Sequence, residues 1–134
     1  MLNHQANIHP IHQALIVDDS ALMRMLLASL LKQRGFAVTE YNSAEGALQR
    51  LADSGAPLDL LMLDIVMPRM SGIELCHIIR HELGLIELPI VAYTAHDDPA
   101  TVAHMRMAGF NEFLFKPFNE RALDGILEEV IVRH

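Results

Sequence analysis

A chain of 134 residues with 51% hydrophobic side chains is long enough to bury a core of its own and reads as one domain. Its 17 acidic against 10 basic residues give a formal net charge of −7, which opposes attraction to a phosphate backbone and argues against nucleic acid as a direct partner. The single Cys76 cannot form an internal disulfide, no leader-like apolar stretch opens the chain, and no apolar run is long enough to span a bilayer. The expectation is a soluble cytoplasmic protein without a membrane partner.

Residues 1–12 mix Asn, Gln, His and Pro without periodicity and read as a flexible lead-in to a domain over 13–134. Ala14 to Val17 form a short buried strand closed by Asp18 and Asp19. Ser20 opens a helix in which Leu22, Met23, Leu26, Leu27, Leu30 and Leu31 repeat at helical spacing, and Gly35 ends it. Phe36 to Tyr41 suit a second strand. Ser43 caps a helix running to about Ala52, with Ala44, Ala47, Leu48 and Leu51 on one side, and residues 53–57 break the chain. Leu60 to Leu63 read as a central strand buried on both faces and ended by Asp64.

After Met67-Pro68, Ser71 and Glu74 form a capping box for a third helix ending near Gly84, with Leu75, Ile78 and Ile79 inward. Ile90 to Tyr93 give a fourth strand terminated by Thr94. Asp98-Pro99 set a cap and an N1 proline for a helix that stops at Gly109. Phe113 to Phe115 form the last strand, ended by Lys116-Pro117, a bond suited to the cis form because X-Pro bonds have a small trans preference. Asn119 caps a final helix with Leu123, Ile126, Leu127, Val130 and Ile131 as its apolar stripe.

Five strands alternating with five helices predict a doubly wound α/β fold, a parallel sheet covered on both faces by right-handed crossovers. Ligands of such sheets collect at the carboxyl ends of the strands. Here those ends carry Asp18, Asp19, Asp64, Thr94 and Lys116.

Three converging carboxylates repel one another and must share a proton or hold a hard cation; an oxygen-only set of this size suits Mg²⁺ with retained waters. The cation and Lys116 together would neutralise a phosphoryl group, Thr94 could hydrogen-bond one of its oxygens, and Asp64 is the candidate nucleophile. Positioning and charge stabilisation suffice for such a transfer, so no separate general base is needed.

Val17-Asp18-Asp19-Ser20 with Arg24, Leu63 to Pro68 followed by Ser71-Gly72, Tyr93-Thr94-Ala95, and Phe115-Lys116-Pro117-Phe118 together resemble a bacterial response-regulator receiver domain. The match runs from about Ala14 to the C-terminus and includes every motif in the family's order. The resemblance implies a CheY-like, flavodoxin-like fold with strand order 2-1-3-4-5. It implies that Asp64 accepts phosphate from a sensor histidine kinase or a histidine phosphotransfer protein. It further implies that Asp18 and Asp19 help bind Mg²⁺ and that the Val66 backbone carbonyl completes the metal site. Such a domain is not an enzyme in the usual sense, catalysing only its own phosphorylation and dephosphorylation.

Phe113 stands where the family has an aromatic switch residue, and Val66 and His96 stand at the two positions that tune phosphoryl lifetime. Nothing after the fifth helix resembles an output domain. In the active state Thr94 is expected to move inward and Phe113 to follow. The fourth helix, last strand and fifth helix would then present a changed face to a downstream protein or to a second copy in a homodimer.

A metal-dependent phosphohydrolase would also form an aspartyl phosphate on an α/β sheet, but it requires a second Asp two residues after the nucleophile, where Val66 stands. A degenerate receiver serving only as a scaffold is disfavoured because every site residue is present. His77 and His81 have metal-compatible spacing on a helix but no third ligand nearby, and read as solvated surface histidines. The eight Met residues read as core filler rather than an interaction groove.

Overall fold

Short apolar runs alternating with capped amphipathic segments must bury both faces of each strand, and the chain does so by winding in turn over the two sides of one sheet. The computed structural model describes residues 12–53 and 57–133; the expected lead-in through residue 11 and part of the break after the second helix lie outside them. The elements follow as β1 (His12–Val17), α1 (Ala21–Gln33), β2 (Phe36–Tyr41), α2 (Ala44–Ala52), β3 (Leu60–Asp64), α3 (Gly72–His81), β4 (Ile90–Thr94), α4 (Pro99–Ala108), β5 (Glu112–Phe115) and α5 (Glu120–Arg133). The strands are parallel, in the order β2-β1-β3-β4-β5.

Alternation along each strand divides the core in two. Leu15, Val17, Leu61, Leu63, Ile90 and Ala92 pack with α2, α3 and α4, whereas Ala14, Ile16, Leu60, Met62, Val91, Tyr93 and Leu114 pack with α1 and α5. All five residues of β3 are buried. So are all five of β4, and at about 1.5–3 kcal/mol for each fully buried large aliphatic side chain these two central strands anchor the sheet. Register brings Val17 level with Leu63, Asp64 with Tyr93, and Thr94 with Phe115. The residues that end β1, β3, β4 and β5 therefore meet at one rim.

Helix starts follow the caps read from the sequence. The side chains of Ser20, Ser43, Ser71 and Asp98 accept from the backbone N–H groups of Met23, Gly46, Glu74 and Thr101, and the Asn119 side chain accepts from that of Ala122. Each such cap is worth about 1 kcal/mol. Gly109, with φ at +119°, closes α4 in the left-handed region, where glycine is favoured. The Lys116-Pro117 peptide is cis, as expected.

Three expectations need correction. His12 is not part of the lead-in; it pairs with Phe36 as the first residue of β1. The apolar stripe of α1 is narrower than expected: Met23, Leu27, Leu30 and Leu31 face the core, whereas Leu22, 76% exposed, and Leu26, 47% exposed, lie four residues apart on the outward side of the helix. Not every methionine is core filler: Met62, Met67 and Met105 are buried, but Met25 and Met107 are exposed.

Candidate functional site

The carboxyl rim of the sheet is where backbone ends and side chains turn polar. Asp18 follows β1 and is fully buried; its Oδ1 accepts from the Ser20 N–H at 2.9 Å, which leaves Oδ2 buried without a hydrogen-bond partner. Asp19 beside it is exposed. Asp64 ends β3 and is 7% exposed. One carboxylate oxygen from each of Asp18, Asp19 and Asp64 can be chosen so that all three lie within 4.8 Å of one another.

Lys116, just past β5, reaches back into this cluster, its Nζ 3.4 Å from Asp64 Oδ1 and 3.9 Å from Asp18 Oδ2. One ammonium cannot balance three carboxylates. Burial pushes the Asp64 carboxyl up from the ordinary 3.8 to about 6; Lys116 pulls it down and the Asp18 charge raises it again. An orphaned buried oxygen facing two further carboxylates is a set of hard donors that suits a divalent cation of the Mg²⁺ type.

Thr94 ends β4 and is 1% exposed; its Oγ1 accepts from the His96 N–H at 3.0 Å. Its own O–H therefore remains available to donate. Its carbonyl also accepts from the Lys116 N–H at 2.8 Å, tying the ends of β4 and β5 together. Val66, two residues past Asp64, carries a side chain 61% exposed, and His96 is exposed on the loop after β4. Phe113 is not in the pocket. It is half-buried on the side of the sheet covered by α4, with the Arg106 guanidinium 4.7 Å from its ring centroid and Phe115 stacked at 6.1 Å. Thr94 shares that side by strand alternation.

Three residues beside the site stood in the sequence motifs without a role of their own. Arg24 donates from Nη1 to the Asp18 carbonyl at 2.7 Å and from Nε to Glu40 at 3.1 Å, fixing the loop that presents both aspartates. Its place on the first turn after the Ser20 cap was the available signal. At Gly72 a Cβ would run into the Asp64 carbonyl oxygen, so the close approach of α3 to the end of β3 requires glycine. The signal was a poor helix former directly after a cap. Tyr93, 1% exposed, lies with its ring 4.3 Å from Lys116 Nζ, and its hydroxyl has no partner. Burial, with Asp18 and Asp64 nearby, pushes that phenol up to about 12.

Fold and site together define a doubly wound α/β protein with an acidic pocket faced by one lysine. The family model of the response regulator receiver domain matches residues 14–128, and the chain belongs to that family. It is 33% identical over 118 residues to the chemotaxis protein CheY1 of Helicobacter pylori, covering 87% of this chain and 94% of that protein. It is 31% identical over 129 residues to the CAI-1 autoinducer sensor kinase/phosphatase CqsS of Vibrio cholerae, covering 91% of this chain. The chain spans only 18% of CqsS and 20% of the Arabidopsis thaliana two-component response regulator ARR12. The solved structure of Vibrio cholerae chemotaxis protein CheY4 superposes with a TM-score of 0.82 at 28% identity, covering 90% of this chain and 98% of that one. The strand order and alternation of five helices are those of the CheY-like fold.

Proposed function

We propose that this receiver domain takes a phosphoryl group from a phosphohistidine donor onto Asp64 and signals through the face formed by α4, β5 and α5. The observation that carries this reading is the convergence of Asp18, Asp19, Asp64 and Lys116 at one rim, with the Lys116 Nζ 3.4 Å from the proposed nucleophile. An Asp64 oxygen attacks phosphorus as the P–N bond to the donor imidazole breaks, and the imidazole leaves with its electron pair to be protonated by solvent. Lys116 follows the charge onto the phosphoryl oxygens. Thr94 donates its free O–H to one of them. Mg²⁺, held by Asp18, Asp19, Asp64 and the Val66 backbone carbonyl, would supply charge neutralisation and alignment of the transferring group. The domain so described turns over only its own phosphorylation and dephosphorylation, with Val66 and His96 at the pocket mouth setting how long the acyl phosphate lasts.

The donor is a sensor histidine kinase or a histidine phosphotransfer protein, consistent with a cytoplasmic location. Leu22, Met25, Leu26 and Val66 give this partner exposed apolar surface near the carboxyl rim. No helix among the described residues is long and apolar enough to cross a membrane, and the net charge of −7 opposes direct contact with nucleic acid. Inward movement of the Thr94 hydroxyl vacates space on the α4 side of the sheet. Phe113, on that side, moves in, and the changed face meets a downstream protein or a second copy.

Acetyl phosphate with Mg²⁺ should add one phosphoryl group to the wild-type chain and none to Asp64→Asn, read by intact-protein mass spectrometry. Equal labelling of the two would refute the acceptor, and labelling that persists in EDTA would refute the role of the metal.

A further inference from the structure

The residue before Thr94 is a buried tyrosine in a strand whose preceding residues, Ile90, Val91 and Ala92, are aliphatic. Its hydroxyl is buried without a hydrogen-bond partner, a cost that an aliphatic residue at the same place would avoid. The ring offers something in return. Lys116 Nζ stands 4.3 Å from its centroid, and Phe118, two residues further along the same turn, packs edge-on against it at 5.7 Å and 78°. The ring is thus held by an aromatic neighbour while its face meets the ammonium. The π face of tyrosine attracts a cation, most strongly where water is scarce. Lys116 is only 22% exposed in its side chain.

We propose that Tyr93 is a positioning residue for Lys116, its ring being the seat that holds the ammonium within reach of both Asp18 and Asp64. A lysine on four flexible bonds otherwise has many rotamers to lose each time it meets the phosphoryl group, and some of them lead out to water. The seat removes those alternatives in advance. It acts through the ring and not the hydroxyl, which touches no donor or acceptor. This rests on the reading that Lys116 serves phosphoryl transfer to Asp64.

The test has two independent readouts. The chain contains only two lysines, Lys32 and Lys116, and Lys32 is exposed, so the ε-methylene resonances of the two are readily told apart. In the metal-free wild type the Lys116 ε-methylene protons should lie upfield of those of Lys32 through the Tyr93 ring current. Tyr93→Phe should keep that displacement and Tyr93→Leu should abolish it. Coincident Lys116 and Lys32 shifts in the wild type would overturn the seat without any phosphorylation and without any variant having to fold.

The second readout is the rate of labelling by acetyl phosphate. Tyr93→Leu should slow it about tenfold, the equivalent of a partly desolvated cation–π contact, and Tyr93→Phe should restore most of the loss. In a Lys116→Met background Tyr93→Leu should add no further loss, because the residue it positions is gone. The same fractional loss with and without Lys116 would mean that Tyr93 is core packing alone, and would overturn the proposal. Absence of labelling in the wild type would count against the phosphoacceptor reading instead, with the ring-current shift still deciding the seat.

Discussion

Asp64 is a carboxyl group at the end of a strand whose other four residues are wholly buried. Its ionised form is disfavoured there, and the shift from 3.8 to about 6 states by how much. The sign follows from proton counting. Between those two pH values the folded chain holds a proton that the unfolded chain has released, so the stability of the metal-free protein falls as pH rises through that window and stays lowered at neutrality. The loss is about 3 kcal/mol, at about 1.4 kcal/mol per pH unit. Asp64→Asn has no charge to bury. Denaturant unfolding without divalent cations at about pH 4 and about pH 7 should show the wild type losing stability relative to this variant; parallel behaviour would contradict the burial argument. On the proposed reading, a cation binding the ionised carboxylate would compete with that proton and offset the loss.

At the scale of elements, the caps, the strand runs and the polar strand ends were legible because each is local. Ser20, Ser43, Ser71, Asp98 and Asn119 bond to N–H groups within a turn of themselves, and Asp64 marks the carboxyl end of β3 by closing its apolar run. What was not legible depends on residues distant in sequence. The exposure of Leu22 and Leu26 depends on which side of α1 turns toward the sheet, and Met23 in the same turns takes the inward place. The clash that makes Gly72 obligatory is with Asp64, eight positions earlier across a loop. The seat on Tyr93 needs Lys116 from the next strand.

The proposed switch belongs to this scale too. Phe113 is held by Arg106 of α4 at 4.7 Å and by Phe115 at 6.1 Å, so the movement proposed for it would loosen the contact between α4 and β5. Beryllofluoride, which mimics the phosphoryl group on Asp64, should shift the NMR signals of Phe113, Val102, Met105 and Arg106 along with those of the pocket. Changes confined to residues around Asp64 and Thr94 would refute the coupling.

The molecule as a whole separates its tasks by position. The lower ends of the strands and the two half-cores supply stability, and the carboxyl rim gathers nearly all the buried polarity: Asp18, Asp64 and Thr94 are the buried polar or charged residues among those described. Arg80 works away from that rim, bonding the carbonyls of Gly109 and Leu85 and the side chain of Asn111, which locks the end of α3 to the start of β5. On the proposed reading, a frame fixed in this way would let a charge change at Asp64 be felt on the α4 side without a change of fold. The claim on which everything else depends is that Asp64, and neither neighbouring aspartate, takes the phosphoryl group. Borohydride cleaves an aspartyl phosphate and leaves the reduced side chain as a permanent mark, so labelling with acetyl phosphate and Mg²⁺, reduction and peptide mass spectrometry locate the acceptor directly. The mark should fall on Asp64 alone; a mark on Asp18 or Asp19, or none at any aspartate, would contradict it.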